Sequence, residues 1–495
     1  MINLRELFFD NPELRRNLRI ELRSKRLFTV GIITALFALV VLPSLTSVGG
    51  AGSVPGGMSP YLMALMWSQK ITLAMGGAIF CWRSVKRERE LNTYDFQRIT
   101  RLSPLELAVG KLLGAPALSY FVTLCLVPPG IISAMNSGSA FLGMLIQSYI
   151  ILLTSSLVVH AFALMISTIS DKGGALGGIV VLVLLQAFPL LLGLLSVTNG
   201  MTSYGTAGGM AVIHFYGLPI PSTLLWAVVE LGFVAWLLLA VVRNIKIDLE
   251  AMQLFTVKQG LGFAGYCNFV WIGFFPWGSA SHVSSSAALL LLGVAFFYLV
   301  GIGVLPGREL VRSELRESRG SLLESGTWLG PIRMFVTGAA VTEILILMFA
   351  EQSGAGDAIR RFGLDLFLVS YFAAWLARDL FYLQWMKVRP VRSPLRKAFL
   401  YLGVFYLTIA IVFRGGLASV DTAAFTGCFA PFPALFPLMN VNGESAMAMW
   451  LVALLSQIGA AAAFAYLYRQ EIAGLRARPK PVPPAGTASA PPAIS

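Results

Sequence analysis

Lys70, Glu230 and Glu343 each interrupt a long apolar run in this 495-residue chain, and a charge placed there is costly unless it faces protein or water. Such groups could line a substrate path or relay an ion. The structural alternative is a buried pair, such as Lys70 with Glu230. Arg378 and Asp379 lie nearer the end of their run, where they can pair or snorkel. Signals for catalysis are thin. The histidines are His160, His214 and His282, with no H-E-x-x-H and no carboxylate-rich metal spacing, so neither a metal site nor a catalytic residue is read. Asp421 and Glu444 flank a Phe- and Pro-rich segment that reads as a loop or re-entrant piece at the interface; an acid pair over a lipid-linked substrate is the enzymatic alternative. Cys81, Cys125, Cys267 and Cys428 show no disulfide or metal spacing. No G-x-x-x-x-G-K-[ST] loop occurs, and the glycines of "DKGGALGG" at 171–178 are read as easing helix packing. The chain is therefore expected to bind no ATP of its own.

The most elaborate polar stretch is "ERELNTYDFQRITRLSPLELAVGKLLG". Ser103 suits a helix N-cap, Pro104 the first helical position, and Glu106 the third, where it can close a capping box. That spacing starts a helix at Pro104 that runs through Gly110 and Lys111 into an apolar run. Upstream, 85–99 reads as a short amphipathic surface helix. Near the start of the chain Asn11 caps, Pro12 takes the first position, and Leu14, Leu18 and Leu22 form an apolar stripe suited to the lipid interface. The apolar run beginning at Phe28 is of spanning length, so the preceding segment reads as a surface helix and not a cleavable signal.

Membrane helices must position these groups. The composition is 57% hydrophobic and only 12% charged, with a mean hydropathy of +0.76, whereas soluble domains carry about 25% charged residues. Runs near the ~20 residues needed to cross a bilayer occur at 28–47, 61–82, 112–134, 140–169, 175–197, 221–242, 262–277, 285–305, 331–350, 362–386, 398–413 and 446–468. An all-α protein with about twelve spans is expected. The net charge of +13 and pI near 9.7 come from Lys and Arg gathered in every second loop. That pattern reads as topology, with both termini cytoplasmic, and not as nucleic-acid binding. Arg360 and Arg361 are the exception to it.

The polar stretch resembles the signature of type-two ATP-binding-cassette exporter permeases, in which E-R-E-x-x-T-[xDE] precedes L-S-P-x-E-L-x-x-G-K-L-x-G between spans two and three. Glu88, Arg89, Glu90, Thr93, Asp95, Leu102, Ser103, Pro104, Glu106, Gly110, Lys111 and Gly114 occupy the matching places. The resemblance implies a coupling helix that docks on a separate cytoplasmic ATPase carrying ATP and Mg. It also implies a transport subunit without enzymatic activity, multi-pass in a bacterial inner membrane, with a second permease chain as a further partner. Residues 1–27 then look like the family's amphipathic connecting helix, 28–245 a first six-helix half with its coupling loop at 83–111, 246–470 a divergent second half, and 471–495 a disordered Pro/Ala-rich tail. "GRELVRSELRESRG" at 307–320 lies where a second coupling loop would fall but lacks Ser-Pro-x-Glu and Gly-Lys. An ion-coupled secondary transporter and a membrane enzyme acting on lipid-linked substrate are the alternatives.

Overall fold

The computed structural model describes residues 10–48, 59–91, 102–137, 139–169, 212–246, 255–274, 282–317, 329–350, 358–391, 394–415 and 444–477. Apolar sequence away from water must satisfy its own backbone, and among these residues every element but one two-stranded hairpin is helical. The chain divides into two compact units, 1–254 with 269–279, and 255–268 with 280–495.

In the first unit a surface helix α1 (Pro12–Glu21) precedes α2 (Ser24–Leu36), a π-helical turn (Phe37–Val41) and α3 (Leu42–Val48). Next come α4 (Pro60–Lys70), a second π turn (Ile71–Gly76) and α5 (Gly77–Glu90). Because α5 runs straight on from the membrane run to Glu90, the start of the surface helix expected at 85–99 is a continuation of α5, and 92–99 lie outside the described residues. Helices α6 (Pro104–Gly114), α7 (Ala117–Cys125) and α8 (Val127–Ser137) follow one another, interrupted near Pro116 and at Leu126, just before Pro128 and Pro129. Proline lacks the amide that would continue the ladder. The 31-residue α9 (Ser139–Ile169) packs on α5 and on α10 (Ser222–Lys246).

At each π turn a side chain from a neighbouring helix also reaches a backbone carbonyl. The Tyr61 hydroxyl donates to the Ala38 oxygen at 2.9 Å, and His160 Nε2 lies 2.8 Å from the Leu73 oxygen. Since a carbonyl only accepts, Nε2 carries the hydrogen, which leaves Nδ1 to accept from the Tyr120 hydroxyl at 3.3 Å. His160 is thus a satisfied bundle residue, seated against Gly77, where an added Cβ would fall 2.1 Å from Nε2.

The departure from all-α is the antiparallel hairpin β1 (Val212–Phe215) and β2 (Leu218–Pro221), in which Phe215 pairs with Leu218. Its two-residue turn, Tyr216–Gly217, takes φ of 51° and 78°, the double left-handed conformation of a type I′ turn. It closes on the end of α11 (Val257–Gly273): Tyr216 N donates to the Gly273 oxygen at 2.8 Å, and the Phe215 ring occupies the space a Cβ at Gly273 would need.

In the second unit α12 (His282–Val304), α13 (Arg308–Glu317), α14 (Gly330–Ala350), α16 (Pro394–Gly415) and α17 (Glu444–Ala477) all contact the central α15 (Ala358–Val388). Val311 and Leu315 of α13 bury against Val388, Tyr468, Ile472 and Leu475. That contact keeps α17 helical to Ala477, so residues 471–477 belong to a helix and not to the expected tail.

Among the described residues six helices are long and apolar enough to cross a membrane: Ser24–Ser44, Pro104–Asn136, Leu142–Thr168, Ser222–Ile245, Leu366–Val388 and Leu451–Leu475. They coincide with six of the expected runs. The runs at 61–82, 262–277, 285–305, 331–350 and 398–413 fall on helices that do not meet that measure among the described residues. Two causes are visible: α11 has 17 residues, and Gln69 and Lys70 stand in the middle of the run at 61–82. The run at 175–197 lies outside the described residues, as do 171–178, Asp421 and 478–495.

Candidate functional site

The start of α6 forms as its spacing requires. Glu106 N donates to Ser103 Oγ at 3.1 Å, Ser103 N donates to Glu106 Oε2 at 2.8 Å, and Pro104 occupies the first position. Asn11 caps α1 in the same manner, Oδ1 accepting from Glu13 N at 3.0 Å and Leu14 N at 3.1 Å. The two caps are also joined: Asn11 Nδ2 donates to the Glu106 carbonyl at 2.8 Å. One asparagine therefore ends the orphaned amides of one helix and fastens its start to the other.

Behind the caps lies a balanced set of four charges. Lys111, only 1% exposed, donates to Glu13 Oε1 at 3.1 Å and to Glu88 Oε2. Arg16 reaches the same two carboxylates, Glu88 at 2.6 Å and Glu13 at 2.9 Å, and Asn17 Nδ2 adds a hydrogen bond to Glu13 at 3.1 Å. A buried ion is tolerable only when paired and hydrogen-bonded on several sides. Here three segments distant in sequence, α1, the end of α5 and α6, supply the partners.

Glycines bring the helices close enough for this. A Cβ at Gly110 would fall 2.8 Å from Glu13 Cβ, and one at Gly114 would fall 2.8 Å from Asn17 Cβ. Both positions, one helical turn apart, form the seat of α1. Leu14 rests near Gly114, while Leu18 and Leu22 are half-buried. The face of α1 that meets α6 is thus mainly the polar one, Asn11, Glu13 and Asn17, and not the leucine stripe.

The expected coupling residues accordingly separate into two groups. Glu88, Gly110 and Lys111 are buried in the junction with α1. Leu102, Pro104 and Glu106 are half-buried, Ser103 is exposed, and Glu90 is exposed beside Lys86 at 3.7 Å, so these remain accessible at the corner. Thr93 and Asp95 lie outside the described residues. The sequence reading passed over Glu13, Arg16 and Asn17; their i, i+3, i+4 spacing on α1 was the available signal.

A scan of family models and searches of curated proteins and of solved structures match nothing to this chain.

Lys70, Glu230 and Glu343 stand in different surroundings. Lys70 is exposed, its ammonium 5.2 Å from the Trp67 ring centroid, and Glu230 accepts instead from the Thr154 and Ser155 hydroxyls. The Lys70–Glu230 pair is therefore not formed: serine and threonine on α9 reach Glu230 where it is fully buried. Glu343 belongs to the second unit, on the buried stripe of α14 with Ile332, Phe335 and Ala339, and neither of its oxygens has a hydrogen-bond partner among the described residues. Arg378 and Asp379 do pair, at 2.7 Å, and both are buried. Arg378 also donates to Gln457 at 2.8 Å and to the Tyr406 hydroxyl at 2.5 Å, and that hydroxyl donates to Asp379. Among the described residues no group of three His, Cys, Asp or Glu side chains gathers to hold a metal ion.

Proposed function

We propose that this chain is the membrane-spanning permease of an ATP-driven exporter of the type-two ATP-binding-cassette kind. In this reading it crosses a bacterial inner membrane about twelve times with both termini cytoplasmic. It works with a separate ATPase chain that carries ATP and Mg, and with a second permease chain where one does not suffice. The observation that carries the reading is the Lys111–Glu13–Glu88–Arg16 junction, buried at Lys111 and both carboxylates, which makes the surface helix α1 and the capped helix α6 one mechanical piece. Because α6 leads into the apolar helix Pro104–Asn136, a push on its exposed corner would be delivered to a spanning helix. Coupling of that kind requires an element rigid enough to move as a body.

The test is purification of the tagged full chain with its native partners in mild detergent, alongside Pro104→Gly and Glu106→Arg. An ATPase should elute with the parent and be lost from the variants while thermal unfolding stays at the parent's level. Absence of any ATPase, even after crosslinking in native membranes, sinks the exporter reading. One observation favours an ion-coupled secondary transporter: Glu343 is buried without a hydrogen-bond partner among the described residues, the kind of intramembrane acid that marks ion pathways. Uptake by the lone chain in proteoliposomes under an ion gradient, abolished by Glu343→Gln, would establish that reading instead.

A further inference from the structure

A groove of about 710 Å³ opens in the second unit between α11, α12 and α14. One wall is the face of α14 that carries Arg333, Thr337 and Val341 at i, i+4 and i+8. The other is made by α11 and by Phe297 of α12. The walls approach closely at Gly338, where an added Cβ would fall 2.6 Å from a Leu261 methyl and 3.1 Å from the Phe297 ring. They part at Gly265, where an added Cβ would meet nothing within 4 Å. The lining of α14 runs from Gly330 to Thr342, about 18 Å at the helical rise of 1.5 Å per residue. A bilayer's hydrocarbon core is about 30 Å thick, about 15 Å per leaflet, so the groove matches one leaflet in length.

Its polarity is one-ended. Arg333 stands one turn into α14, exposed, with no hydrogen bond or ion pair to any described residue. From there the groove is apolar apart from the hydroxyls of Thr337 and Thr342. A cation at the rim of a leaflet-long apolar slot has the form of a phospholipid: the guanidinium presents paired donors to phosphate, and the slot takes hydrocarbon. Basic pockets between membrane helices bind anionic headgroups. We propose that this groove is a binding site for an anionic phospholipid, its phosphate on Arg333 and one acyl chain along α14. The inference needs only that the second unit is embedded in a membrane, and it stands whether or not the chain is driven by an ATPase.

The experiment is native mass spectrometry of the full-length protein, released from detergent and titrated with phosphatidylglycerol or phosphatidylcholine. The parent should retain phosphatidylglycerol in preference. Arg333→Gln should weaken that retention about fivefold, the contribution of one basic residue at an anionic surface. Gly265→Leu puts a side chain into open space and should empty the groove while unfolding at the parent's temperature or above. Equal retention of the two lipids, or a Gly265→Leu protein that holds phosphatidylglycerol as the parent does, overturns the proposal. Should Gly265→Leu not fold, Arg333→Gln decides alone, and unchanged retention in that variant is equally fatal.

Discussion

Replacing Lys111 by Met keeps the bulk of the side chain and deletes one charge from a balanced set of four. The Lys111 ammonium lies 3.1 Å from Glu13, a gross attraction of about 5 kcal/mol at an effective dielectric of about 20. Part of this is offset, because Arg16 still reaches both carboxylates and is 44% exposed. Removing one partner of a buried pair costs about 3–5 kcal/mol, and the presence of Arg16 sets the expectation at the lower end, about 3 kcal/mol. If that cost falls on the docking of α1, the docking equilibrium constant drops by about two orders of magnitude. Hydrogen exchange on the amides of Pro12–Glu21, read by mass spectrometry on the full chain in detergent, should show a matching loss of protection. The double variant Lys111→Met with Glu13→Gln keeps Arg16 facing Glu88 in a balanced pair. It should therefore lose less than the sum of the single variants, with a coupling of about 1–3 kcal/mol. Parent-like protection in Lys111→Met, or strictly additive losses, would refute the latch.

Gly110→Ala forces a Cβ to 2.8 Å from Glu13 Cβ and should cost about 1–3 kcal/mol through overpacking, read as the same loss of protection in α1. Gly143→Ala, where a Cβ meets nothing within 4 Å, should instead raise stability by about 0.5–1 kcal/mol through helix propensity, seen as a higher unfolding midpoint. Gly77→Ala drives a methyl into His160 and should break the hydrogen bond to the Leu73 carbonyl, so its cost should largely disappear in a His160→Ala background. Arg378→Met leaves Asp379 buried with only tyrosine hydroxyls for partners and should destabilise by about 3–5 kcal/mol, whereas Arg378→Met with Asp379→Leu should recover much of that in the same unfolding assay.

The two helix starts were legible because a cap is local. Ser103 and Glu106 are three positions apart, and Asn11 stands two and three positions from the amides it accepts. The lock between the helices was not, since Glu13 and Lys111 are 98 positions apart and nothing in either segment names its partner. Each side left half a trace, the polar Glu13, Arg16, Asn17 stripe on α1 and the Gly110–Lys111–Gly114 seat on α6. The leucines at 14, 18 and 22 obscured the first, because a surface helix carries both a greasy and a polar face and the sequence does not say which one meets protein. The hairpin escaped for another reason: its strands are four residues long, β2 carries Pro219 and Pro221, and Tyr216 holds a positive φ usually left to glycine or asparagine. Apolar runs, by contrast, read well wherever a long straight helix forms, since the bilayer imposes length and composition together. Charge beside a membrane is the ordinary condition of a loop. A four-ion latch made from such charge therefore carries no compositional signature, and only the glycines that let two helices approach distinguish it from a solvated surface.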